Sequence, residues 1–111
     1  LKKKTLLIFG ISSFVGSNIA EYLKRDYRII GTYYSNPISI PGVLCVHCDV
    51  LIKDAIQFLI YSFRPDATLY CVGLSSVEDC AKHEKYADAI NTIGVFNVTS
   101  FTERYKSKFI Y

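Results

Sequence analysis

Methionine is absent from this sequence, and the first residue is Leu1. We expect that the N-terminus has been trimmed or begins inside a longer reading frame. No apolar run approaches the roughly 20 residues needed to cross a bilayer. No succession of basic, apolar and small-residue regions marks a secretory leader, so the expected location is the cytoplasm, away from membranes. Neither sign of charge dominates: the formal net charge is +3, and the only basic run, Lys2-Lys3-Lys4, reads as a solvated entrance to the first strand. Basic residues interleaved with exposed aromatics are missing, which removes nucleic acid from the expected partners. Repeats, low-complexity segments and dividing linkers are also absent. The 111 residues therefore read as one domain, and with 50% of them hydrophobic a core can form.

The quartet Cys45-Val46-His47-Cys48 invites a metal or disulfide reading, but it has no Gly or Pro to turn the chain. In a strand, residues three apart point to opposite faces and cannot share a metal ion or a disulfide. All four cysteines, Cys45, Cys48, Cys71 and Cys80, are expected to be small reduced core residues, with no metal bound.

What the sequence does have is concentrated between Thr5 and Leu23. Thr5-Leu6-Leu7-Ile8-Phe9 suits a strand buried on both faces of a parallel sheet. Gly10 breaks the run, and Val15, Ile19, Tyr22 and Leu23 then recur with helical spacing. Ser12 or Ser13 can cap this helix. A glycine turn feeding a helix N-terminus aims backbone N–H groups and the positive end of the helix dipole at one point, where an anion is favoured. A dinucleotide pyrophosphate fits such a device.

Downstream, Tyr27 to Tyr34 predicts a second strand, and Val43 to His47 a short third one beyond a Pro-rich loop. Asp49 is expected to cap a helix that carries Ala55, Ile56, Leu59, Ile60 and Phe63 and ends before Pro65. A fourth strand spans Ala67 to Val72, and Ser75-Ser76-Val77-Glu78 has the form of a capping box opening a short helix. A longer helix is expected from about Lys85 to Tyr105, with Tyr86, Ala89, Ile93, Phe96 and Ser100 on its apolar face and Gly94 permitting close approach to the sheet. Lys108 to Tyr111 begins a fifth strand, so the C-terminus also looks cut. Such alternation predicts an α/β, doubly wound parallel sheet with helices on both faces and a ligand crevice beyond the strands' carboxyl ends.

Gly10-Ile11-Ser12-Ser13-Phe14-Val15-Gly16 resembles the GxxGxxG of the extended short-chain dehydrogenase/reductases. Gly31-Thr32-Tyr33-Tyr34-Ser35, Cys48-Asp49-Val50, Arg64-Pro65-Asp66, the run from Leu74 to Cys80 and Asn91-Thr92-Ile93-Gly94 follow in that family's order. The similarity covers the whole chain and is strongest to the branch of dTDP-4-dehydrorhamnose reductase and related sugar-nucleotide reductases and epimerases. It implies that residues 1–111 are the N-terminal portion of a Rossmann-type NAD(P)-binding domain. It also implies a nucleotide-sugar substrate and leaves a homo-oligomer open.

Carried over by position, Gly10, Ser12, Ser13, Phe14, Val15 and Gly16 surround the pyrophosphate. Asp49 accepts from the adenine amino group, and Val50 flanks the ring. Cys71, Val72 and Gly73 line the ribose–nicotinamide side, and Asn91 holds a water or a backbone carbonyl near a catalytic lysine. The middle glycine of the motif is replaced by Ser13, which either crowds the cofactor or donates to phosphate. No acid stands at the end of the second strand, where Tyr33, Ser35 and Asn36 lie in place of the Asp or Glu that selects NAD. NADP is therefore weakly preferred over NAD. The family's Tyr-x-x-x-Lys pair is missing, so no catalytic residue is assigned and the chain alone is expected to be inactive. Open alternatives are an epimerase or dehydratase, a non-catalytic nucleotide-binding regulator, or a truncated, nonfunctional frame.

Overall fold

A computed structural model describes residues 2–72 and 84–111. The strands β1 (Thr5–Phe9), β2 (Arg28–Tyr33), β3 (Leu44–His47), β4 (Ala67–Tyr70) and β5 (Lys108–Ile110) form one parallel sheet in the order β3-β2-β1-β4-β5. The chain winds outward from β1 to β3, then crosses back to place β4 on the other side of β1. That reversal opens a crevice beyond the carboxyl ends of β1 and β4.

Period-two alternation puts Leu7 and Phe9 on one face of β1 and Leu6 and Ile8 on the other, and these side chains are buried on both sides. The first face packs against α2 (Lys53–Phe63) and α4 (Val95–Arg104), through Ile56, Leu59, Ile60, Val98 and Phe101. The second packs against α1 (Phe14–Leu23) through Ala20. Cys48 belongs to the first core and Cys45 packs against the second, as strand alternation requires. The fold is thus the Rossmann-like α/β sheet expected from the sequence.

The strands are shorter than predicted. β2 begins at Arg28 and ends at Tyr33, β3 begins at Leu44, and β4 stops at Tyr70. The capping box at 75–78 lies outside the described residues.

Asp49 does not cap α2. Its Oδ1 accepts from Leu51 N–H at 2.9 Å, and its carbonyl accepts from Ile52 N–H at 3.0 Å, closing a turn before the helix, which starts after Ile52 without a side-chain cap. An Asp side chain readily folds back onto the backbone two residues ahead. α2 ends before Pro65 as expected, with Arg64 at φ 46°. The guanidinium of Arg64 lies 4.7 Å and 4.8 Å from the ring centres of Tyr61 and Tyr105, an arrangement that favours the cation and holds this left-handed residue.

The long helix also departs from its prediction. It comprises α3 (Glu84–Ala89), a π-helical turn (Ile90–Gly94) and α4. Its buried face is Ala87, Ile90, Gly94, Asn97, Val98 and Phe101, one residue out of step with the expected one. Ile93 and Phe96 are exposed. Both registers carry apolar residues at helical spacing, so periodicity alone does not choose between them. Gly94 decides, because a Cβ there would overlap Tyr70 Oη and lie 2.9 Å from Val50 Cγ2. The close approach expected of Gly94 is present, and it fixes which side faces the sheet.

Candidate functional site: a dinucleotide groove

Beyond β1 the chain turns at Gly10, whose φ of +85° few side-chain-bearing residues adopt. A Cβ there would lie 2.7 Å from the carbonyl carbon of Cys71. Gly10 N–H and Ile11 N–H both donate to Thr32 O, at 3.1 and 2.7 Å, which ties the loop to the neighbouring strand. Ile11 is fully buried beneath it.

Ser13 is the N-cap of α1, with extended φ and ψ, which settles the choice between Ser12 and Ser13. Its hydroxyl donates to Gly10 O at 2.8 Å and accepts from Gly16 N–H at 3.0 Å. The single hydroxyl hydrogen is therefore committed to the loop's own backbone and is not directed at a phosphate. Gly16 is buried inside this turn, because a Cβ would overlap Gly10 O. Among the described residues Phe14 N–H and Val15 N–H have no protein acceptor. They are the free donors at the positive end of the helix.

A groove of about 350 Å³ opens at this point. Gly10, Ser12, Ser13 and Phe14 form one wall, and Cys71 and Val72 follow β4. At the far end stand Thr32, Tyr33, Tyr34, Ser35 and Asn36, with Cys48, Val50, Tyr86 and Ile90 completing the lining. Ten residues expected from the sequence thus meet in one groove: Gly10, Ser12, Ser13, Phe14, Tyr33, Ser35, Asn36, Val50, Cys71 and Val72.

Four others do not line it. Val15 sits in an adjoining apolar groove with Ile19, Leu69, Ile110 and Tyr111. Gly16 is enclosed in the turn, and Asp49 is occupied in its own turn. Asn91 is exposed on the π turn, because the extra residue of that turn and the register set by Gly94 carry it off the packed face. Gly73 lies outside the described residues.

Sequence reasoning did not assign Thr32, Tyr34, Cys48, Tyr86 or Ile90 as lining residues, and it missed two buried hydrogen bonds that hold the walls. Asn97 Nδ2 donates to Val50 O at 3.0 Å, and Tyr70 Oη donates to Ile90 O at 2.5 Å. These pairs are separated by 47 and 20 residues, and only the Gly94 spacing hinted that this helix meets the sheet closely.

Burial, followed by the charge of Asp49, pushes the Cys48 thiol up to about 11, and burial also raises Cys71. Both thiols stay protonated at neutral pH and are poor nucleophiles. Burial and then the neighbouring Tyr34 and Asp49 raise the Tyr86 phenol, and burial with Tyr111 and Tyr86 raises Tyr70. Among the described residues no group of three His, Cys, Asp or Glu is placed to share a metal ion, and no helix is long and apolar enough to cross a membrane.

A glycine turn with free helix donors, opening into a groove at the switch point of a parallel sheet, is the arrangement that suits a dinucleotide in α/β proteins. The sequence model of the NAD dependent epimerase/dehydratase family matches residues 6–111, and the chain belongs to that family. No curated protein sequence matches it. Among solved structures it resembles the enzyme WbmH of Bordetella bronchiseptica in complex with NAD+, with a TM-score of 0.81 and 24% identity over 99% of this chain and 38% of that one. UDP-glucose 4-epimerase of Thermotoga maritima with UDP-glucose gives 0.85 and 18% identity over 95% and 36%. A hypothetical dTDP-4-dehydrorhamnose reductase of Sulfolobus tokodaii gives 0.80 and 23% over 96% and 37%. The chain therefore spans little more than a third of the length of these neighbours.

Proposed function

We propose that this chain is the cofactor-binding part of an NAD(P)-dependent reductase acting on a nucleotide-linked 4-keto-deoxysugar, as in dTDP-4-dehydrorhamnose reductase. The observation that carries the dinucleotide reading is the free donor Phe14 N–H, from a residue on the wall of a groove that runs to Tyr33–Asn36, with Val15 N–H free beside it at the start of α1. In this reading Gly10, Ser12, Ser13 and Phe14 cradle the pyrophosphate. Asp49 keeps Oδ1 on Leu51 N–H and offers its other oxygen to the adenine amino group, beside Val50. Cys71 and Val72 leave room for the ribose–nicotinamide half, which supplies the hydride when bound. With no acid among Tyr33, Tyr34, Ser35 and Asn36, a 2′-phosphate is not repelled. We expect NADPH to bind at least as tightly as NADH.

The sequence has no Tyr-x-x-x-Lys, the pair in which an ammonium on the same helix face lowers a phenol's pKa for proton transfer. Catalysis in this reading uses residues outside these 111. The direct test supplies NADPH and a dTDP-4-keto-6-deoxysugar to the full-length enzyme that contains these 111 residues and follows loss of reduced cofactor. Stoichiometric oxidation supports the reductase. Interconversion of UDP-sugars without net cofactor oxidation supports the second reading, a sugar-nucleotide epimerase, which the family description favours.

A further inference from the structure

A parallel sheet puts its strand starts and the ends of α1, α2 and α4 at one pole, opposite the dinucleotide groove. Arg28 N–H donates to Lys4 O at 2.9 Å, Asp66 N–H to Thr5 O at 2.8 Å and Lys108 N–H to Asp66 O at 3.0 Å. Arg28, Lys4, Asp66 and Lys108 therefore form a row across four strand starts. The three cations of that row are exposed, as are the Lys2-Lys3 lead and, at the helix ends, Arg64, Arg104 and Lys106. Among them stand the carboxylates of Asp26, Asp66 and Glu103, and that of Asp66 is already engaged with Thr5 N–H at 2.7 Å. Helix-end electrostatics does not account for this row. A helix C-terminus favours cations, yet Lys4, Arg28 and Lys108 stand at strand starts, where the net dipole is small. None of them is ion-paired among the described residues, where the salt bridge joins Lys24 to Glu21.

Two of the guanidiniums at this pole are held in place. That of Arg28 lies 5.7 Å from the ring centre of Phe63, while that of Arg64 rests against Tyr61 and Tyr105 and donates from Nε to Tyr61 O at 3.0 Å. The other N–H groups of Arg64 have no protein acceptor among the described residues. Its fork is thus fixed and open, the form that takes a phosphate through two parallel hydrogen bonds. Beside it on α2, Tyr61 and Phe58 are 55% and 68% exposed. Fixed cations for a phosphate backbone and bare rings for its bases are the two halves of a single-strand site. Along the chain these residues are scattered, and only the fold interleaves cations with aromatics, so the sequence alone argues against nucleic acid. We propose that this pole binds single-stranded nucleic acid, with Arg28, Arg64, Lys4 and Lys108 on phosphates and Tyr61 and Phe58 under bases. The surface lies apart from the cofactor groove and does not depend on the dinucleotide reading.

The test is fluorescence anisotropy of a dye-labelled oligouridylate titrated with the full-length protein that contains these residues, over a range of salt. Binding is expected with a Kd of about 10⁻⁴ to 10⁻⁶ M at physiological salt, and log K should fall linearly with log salt. Arg28→Gln combined with Arg64→Gly, the latter suited to the left-handed backbone at that position, is expected to weaken binding roughly twentyfold at low salt and to flatten the slope by about 0.7 for each cation removed. Lys4→Gln with Lys108→Gln flattens it by the same amount while leaving the arginine forks in place. Phe58→Ser weakens binding roughly fivefold or more at an unchanged slope, a split that loss of charge does not produce. Lys53→Gln, which removes an exposed lysine at the opposite pole, changes neither quantity. Saturating NADH is expected to leave the oligonucleotide bound, and thermal denaturation checks that each variant is folded. Absence of binding to the parent, binding to phosphatidylserine vesicles alone, displacement of the oligonucleotide by NADH, or an equal loss in Lys53→Gln overturns the proposal and leaves the dinucleotide reading standing.

Discussion

The two ends of the groove are made by different means. At the phosphate end the backbone does the work: Gly10 at φ +85°, Gly16 against Gly10 O, and Ser13 bonded to both. Gly10 and Gly16 are fixed by contacts that a single added carbon would disrupt. At the far end side chains do the work, with Tyr34 tilted against His47 and stacked on Tyr86 near the surface. Backbone-made sites are rigid and chemically general, whereas side-chain-made sites are tolerant of change and can be retuned. An anion needs only N–H groups at a helix start, but a base needs a particular surface.

This contrast sets the expected order of effects. Gly16→Val drives a branched side chain into the turn and should cost about 3 kcal/mol or more, with loss of cofactor binding, read by thermal denaturation and NADH titration. Asn97→Leu removes the donor to Val50 O, leaves a buried carbonyl without a partner and should cost about 2 kcal/mol, weakening the far end more than the phosphate end. A pH titration of stability probes the same floor through Cys48. Its thiol is neutral when protonated, and its pKa rises from 9.0 to about 11 on folding. The folded state thus binds the proton more tightly, so the contribution is full below pH 9 and is lost as pH climbs toward 11. Ser13→Ala loses the cap of α1, at about 1 kcal/mol, while Ser13→Gly costs only a few tenths and retains binding. Tyr34→Ala, at the tolerant end, should change stability by less than about 0.5 kcal/mol. A large loss there would erase the distinction between the two ends.

The same contrast explains what the sequence made legible. Gly10, Gly16 and the buried run of β1 are local signals, and they locate the turn, the strand and the helix after it without tertiary information. Helix α2 stops before Pro65 for an equally local reason. The long helix is not local in this sense. Its buried face is selected by Gly94 against Tyr70 and Val50 and by a π turn, so Ile93 and Phe96 point outward despite their helical spacing. Asp49 is read as a cap because its type and position allow it, yet the backbone continues in a tight turn to Ile52. The Tyr34–Tyr86 stack joins residues on separate elements, and nothing in either neighbourhood announces the other.

The central claim, that the groove beyond β1 binds a dinucleotide through the N-terminus of α1, is tested most directly by calorimetric titration of NADH and NADPH into the protein and its Gly16→Val variant. The account predicts saturable one-to-one binding of both cofactors to the parent, with NADPH no weaker, and none to a variant checked for folding by circular dichroism. Absence of binding to the parent, or undiminished binding to the folded variant, would contradict it.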